Sequence, residues 1–302
     1  MTEPNPPTAM AGEPRWRLRL LDRIQNLAAN RARVLQQGYQ ITSMNGDAQV
    51  LAWRTQLHLL ADARAEAEAH AHAVGIADAH IEDARLLGNR GFRVYSDARA
   101  GNPVRDKMID GVAGDTWQLQ HMAAIHMVGA LGPSPVGAGA DSQVAAQFER
   151  NVAAVWMRAS VVSHAISLTA EEYAGMWATD VPGWQRVLAA TVDTYDHAGL
   201  EQRWRIYAWP GLGEEAHRDL RVLGIDPAEA FAPDPIPLPH TMYEQASAAL
   251  DAADHTVMAL VIDHAVDTAL PTEAAELAWT TEPAEGSGGS APPVDPARGV
   301  ES

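Results

Sequence analysis

The chain has 302 residues, enough to bury one large core or two smaller ones, with 47 % apolar residues and a formal net charge of −17. That acidic excess repels phosphate backbones and anionic lipid, which sets nucleic acid and membrane surfaces aside as main partners. Cysteine is absent, so disulfides, thiolate nucleophiles and Cys-ligated zinc are excluded.

Alanine occurs 56 times and loses no side-chain entropy in a helix, which predicts a mainly α fold. Residues 1–13 are Pro-rich and read as disordered. They hold no apolar run of secretory-signal type, so a cytoplasmic protein is expected. Leu20, Ile24, Leu27 and Val34 then share one helical face, and Gly38 stops that helix. From Asp47, read as an N-cap, to Val74 a second face carries Val50, Trp53, Leu57, Leu60, Ala67, Ala71 and Val74. Two long amphipathic helices with a short link predict an antiparallel αα-hairpin over residues 14–74.

Gly75 breaks the second helix, and a short third one is expected over 77–87. The stretch after Gly88 is irregular, with Phe92 to Tyr95 the best candidate for a brief strand. A fourth helix is expected over 104–131, a fifth over 142–168 behind an Asp141 cap, and a capping box at Thr169 and Glu172. The longest run without charge, Thr116 to Ala140, is too polar and too short to span a bilayer. Shorter helical pieces lead to the Pro-rich linker 232–239. A final helix is expected over 241–270, and the tail from 280 is read as disordered. The expected architecture is an N-terminal hairpin with a third helix over 14–90, then an irregular helical bundle over 104–279.

AHAHAVGIADAHIEDARLLG, residues 69–88, resembles the prokaryotic helix-turn-helix. Ala71, Val74, Gly75, Ile76, Ile81 and Ala84 take its small, turn and apolar positions. The resemblance implies a DNA contact through His80 and Arg85, helped by the basic row Arg15, Arg17 and Arg19. The exposed face argues the other way, because Asp78, Glu82 and Asp83 would face phosphate. The G-x-G-x-x-A spacing at 211–216 places Glu214 and Glu215 where a pyrophosphate would sit, so no dinucleotide site is read there and no cofactor is expected. Glu214 and His217 form one E-x-x-H where a di-iron bundle needs two.

Two core stripes carry polar interruptions. On the fourth helix Asp115 and His126 join Met108, Val112, Leu119 and Met122. On the last helix Asp254 and His264 join Leu250, Val257 and Val261. Antiparallel packing would pair Asp115 with His264 and Asp254 with His126, as structural hydrogen bonds or as the seat of acid/base or metal chemistry. His70 and His72 are read as solvent-facing, and Trp177, Trp184, Trp204 and Trp209 as core or pocket lining. The favoured function is protein–protein contact or self-association through the hairpin. A helix-turn-helix regulator and a metal-dependent or acid/base enzyme are the alternatives.

Overall fold

The computed structural model describes residues 13–38, 46–94, 102–131, 142–226 and 236–253. Ten helices supply the regular structure among them, and no strand occurs there. They are α1 (Arg15–Gln37), α2 (Gly46–Ala73), α3 (Asp78–Asn89), α4 (Pro103–Leu131), α5 (Ser142–Ala165), α6 (Ala170–Tyr173), α7 (Val181–Thr194), α8 (His197–Tyr207), α9 (Pro210–Val222) and α10 (Pro239–Ala252). No described helix is long and apolar enough to cross a membrane.

Local chemistry sets the helix ends. The Asp180 and Asp196 side chains accept from the amides of Gly183 and Gly199 and start α7 and α8. Prolines open α4, α9 and α10, where a missing N–H costs nothing. The Thr169–Glu172 capping box forms as expected. Gly75 ends α2 in the left-handed region, φ +78°, and the Ile76 amide reaches back to the Ala71 carbonyl at 2.9 Å. Asp47 lies inside the first turn of α2 rather than before it.

At the two ends of the α1–α2 pair, the Trp53 indole donates to the Val34 carbonyl and Arg17 Nη2 donates to the Val74 carbonyl at 2.5 Å. Low residue numbers of one helix thus meet high numbers of the other. The third helix lies chiefly on α1, not on α2. Gly88 makes that approach possible. A Cβ there would stand 2.2 Å from the Gln25 carbonyl oxygen and 2.6 Å from the Ala28 Cβ.

The fourth helix is the axis of the remainder, in contact with α1, α5, α7, α8 and α10. Its buried positions, among them Ile109, Val112, Trp117, Leu119, Met122, Ile125 and Val128, go all the way round, as a central helix requires. Gln120 ties it to the loop after α6, donating to the Met176 carbonyl and accepting from the Ala178 amide. Asn151, fully buried on α5, donates to the carbonyls of Tyr207 and Trp209 where α8 hands over to α9.

Three local expectations are corrected. Phe92 to Val94 form no strand. Their backbone groups are taken by side chains of α1: Asn26 both donates to and accepts from Val94, and Gln25 donates to the Phe92 carbonyl. The fifth helix stops at Ala165, three residues early, because Ser167 adopts φ +49°. The last helix ends at Ala252, where the backbone of Ala253 leaves the helical region at ψ 91°. The Asp141 cap, Tyr95, linker residues 232–235, the final helix beyond 253 and both expected disordered termini through residue 12 and from 280 lie outside the described residues.

Candidate functional site

The two halves of α2 have different surroundings. Along residues 47–60, Val50, Trp53, Leu57 and Leu60 turn towards α1 and are half-buried. Ala48, Leu51, Ala52, Thr55 and Leu59 recur at steps of three and four on the opposite side, and all five are exposed. Leu51 is 65 % and Leu59 63 % accessible. This half-helix therefore has two apolar faces, and no described element covers the second.

From Ala67 onward α2 enters the core, and there His70 begins a column of stacked rings. The imidazole lies between the indoles of Trp16 on α1 and Trp117 on α4, with centroids 6.1 and 5.2 Å away. Trp117 stacks in turn on His121 at 5.0 Å, and His121 on Tyr195 at 5.4 Å. The Tyr207 ring meets His121 edge-on, with its hydroxyl 2.8 Å from Nδ1. Arginines close both ends of the column. Arg17 sits over Trp16, and Arg203 lies over Tyr195 and Tyr207 while pairing with Glu66. Burial, reinforced by Arg23 and Arg17, pushes the His70 pKa down to about 3. Burial and Arg203 do the same to His121, also to about 3. Both rings are neutral at physiological pH.

Beside the Tyr195 end, a cleft of about 480 Å³ opens between α2 and the α7–α8 junction. Asp62, Glu66, Asp193 and Asp196 line it with Tyr195, Arg203 and Ile206. Glu66 is engaged by Arg203, and Asp196 caps α8. No group of three or more His, Asp or Glu among the described residues is arranged to hold a metal ion.

The residues singled out in the sequence are scattered. Asp115 is buried, but its carboxylate accepts two bonds from Arg158, at 2.9 and 2.7 Å, and Arg158 also holds Asp219. Burial nevertheless pushes the Asp115 pKa up to about 6, against the pull of Arg158. His126 is exposed, not on the buried stripe, and rests against Tyr243 and Phe148. Its angle still matches that of Asp115 within about 20°, but it stands in the last two turns of α4 before Leu131, where exposed positions return at His126 and Ala130. Asp254 and His264 lie outside the described residues. In the basic row, Arg17 binds Glu13 and the Val74 carbonyl, Arg19 makes two 2.7 Å bonds to Asp110, and Arg15 stands 3.9 Å from Asp106. Arg85 pairs with Glu82 on the same face, and His80 is half-buried. Glu214 and His217 are exposed on α9.

The reading of His70 as solvent-facing is overturned: the residue is 5 % accessible. His70 falls between Ala67 and Val74 at core spacing, and His121 follows Trp117 by four and precedes Ile125 by four. Spacing, not residue type, was the signal that would have placed both imidazoles inside. Of the four tryptophans, Trp184 and Trp204 are core residues, Trp177 is half-buried against Tyr173, and Trp209 is 62 % accessible. No family model, no curated protein and no solved structure matches the chain.

Proposed function

We propose that the protein works by protein–protein contact, docking an amphipathic helix of another protein on the solvent-facing stripe of α2. The supporting observation is the second apolar face of α2, with Leu51 and Leu59 nearly two-thirds accessible. Apolar residues at steps of three and four are what a partner helix engages in a groove or seam.

A second copy fits the stripe less well. In a two-fold antiparallel pair centred on Thr55, Leu51 would meet Leu59 of the other copy. The flank formed by Asp47, Arg54, His58 and Asp62 would then meet itself, setting Asp47 beside Asp62 and Arg54 beside Arg54. Like charges face each other in that arrangement, between chains of net charge −17 each. A partner with an apolar stripe and its own flanking charges escapes this repulsion.

The experiment is site-specific photocross-linking in cells from position 55 of the full chain, beside mass measurement in solution. The expected result is a heterologous adduct from position 55 that disappears with Leu59→Glu, and a monomeric mass for the purified protein. A homodimer lost with Leu59→Glu would replace the foreign helix by a second copy. An empty cross-linking lane would leave α2 as a helix with an idle face and end the proposal.

A further inference from the structure

Imidazole is the one ordinary side chain that titrates near neutrality, and this core holds two in one stack. His70 is 5 % and His121 0 % accessible. Each has an Nε2 with no hydrogen-bond partner, and the indole nitrogens of Trp16 and Trp117 are unpartnered too. A neutral ring tolerates this placement through its stacking contacts. An imidazolium brings a full charge and two donors, and it needs an acceptor or water.

The indole faces attract a cation, but the column offers it no free carboxylate or hydrogen-bond acceptor for its Nε2 protons. Facing His70 are Trp16 with Arg17, itself paired with Glu13, and Arg23 from the α1 side, and Trp117 from α4, while α7 packs on the same half of α2 and brings Arg186 to the Ala73 carbonyl. Facing His121 are Tyr207 and Arg203 from α8, and Tyr195 between α7 and α8. Glu66, the carboxylate that α2 brings to this end, is bound by Arg203, and Asp62 stands beyond it on the cleft. Three arginines therefore act on the two imidazoles, and Glu13 and Glu66 are each held by an arginine. In the closed column a charged ring therefore meets arginine without an acceptor, and opening to water relieves it.

The two histidines also stand where opening has a defined geometry. His70 belongs to α2 and both its stacking partners to other helices. His121 belongs to α4 and its Tyr partners to the α7–α8 region. We propose that the ring column is an acid-released clamp: protons taken up by His70 and His121 free the second half of α2 from α1 and α4. Both rings bind protons more readily in the opened chain than in the closed one. Stability from these sites is thus complete above the ordinary imidazole value of 6.5 and falls as pH drops towards about 3. Each histidine shifts the closed-to-open ratio about tenfold per pH unit inside that window. The clamp does not depend on what docks on the first half of α2.

The test is hydrogen exchange of the full chain between pH 7 and pH 4.5, corrected for intrinsic rates, in the wild type and in a His70→Phe/His121→Phe double variant. Phenylalanine keeps the stack and removes both titrating groups. Residues 63–74 are expected to lose protection in the wild type as pH falls, by ten- to a hundredfold per unit, and to keep it in the double variant. The Asp115 carboxyl is common to both proteins, so its opposite contribution cancels. Equal acid opening in the two proteins overturns the clamp. Should the double variant not fold, the imidazole proton resonances of the wild type decide. Rings that stay neutral until α2 opens support the proposal, and rings that titrate near 6.5 with α2 still protected defeat it.

Discussion

One helix, α2, has two unlike halves. Residues 63–74 pack on α7 and send His70 into a column of stacked rings between α1 and α4. Residues 47–60 share α1 with them, but keep Leu51 and Leu59 in solvent. Apolar content does not separate the halves, with 8 of 14 residues apolar in 47–60 and 7 of 12 in 63–74, although the first draws on leucine and the second on alanine. Neighbours separate them. The lesson is that an apolar stripe becomes core only where another element arrives to cover it, and that the uncovered half of a continuous helix is a natural place for an outside helix to bind.

Trp117→Ala should have the largest effect, on the covered half. It removes the ring on which both imidazoles stack and should cost about 3–5 kcal/mol in chemical denaturation. Its effect belongs to the covered half, so exchange protection should vanish from residues 63–74 first. A loss below about 1 kcal/mol would mean the column is not what seats α2.

Acid comes next. Between pH 7 and pH 5 the lowered values of His70 and His121 remove stability, since the unfolded chain takes up protons that the folded one refuses. Asp115 acts in the other direction, because its raised value lets the folded state bind a proton first. At about 1.4 kcal/mol per pH unit for each group, the balance is a net loss of about 2–3 kcal/mol across that interval. Urea midpoints at the two pH values measure it. An unchanged midpoint would contradict the neutral state of the two rings.

Gly88→Ala tests the support that both halves share. Its Cβ has no room against Gln25 and Ala28, so α3 must lift from α1. Overpacking of this kind costs about 1–3 kcal/mol, read as a lowered Tm. At the small end stands Leu51→Ala in the uncovered half. It should move stability by less than about 0.5 kcal/mol in the purified protein. A loss several times larger would show that something in the chain covers the stripe after all.

Several parts of this architecture were legible from residue spacing. The stop at Gly75, the capping box at Thr169 and Glu172, and the courses of α1 and α2 follow from local rules that tertiary context seldom overrides. Residues 92–94 were misread because a strand is recognised by apolar and β-branched residues, whereas their backbone partners are the amides of Asn26 and Gln25, distant in sequence. The ring column was missed for a different reason. His70 is read outward from its alternation with His72 and His121 is not singled out, and only the assembled helices reveal two indoles about the first and an indole and a phenol about the second. In the sequence the closed stripe masks the open one, since Val50, Trp53, Leu57 and Leu60 alone account for an amphipathic helix.

Trp117 has a property that follows from its two flat neighbours. An excited indole gives up electron density to a charged imidazole in van der Waals contact, whereas a neutral one leaves its light largely intact. The ring at the centre of the protein is thus wired to the charge state of the pair around it. Among nine tryptophans, this one should keep its light while the column stays closed around neutral rings and change when opening brings it water and imidazoles that have taken up protons, so the molecule carries an optical gauge of its own interior without any added dye.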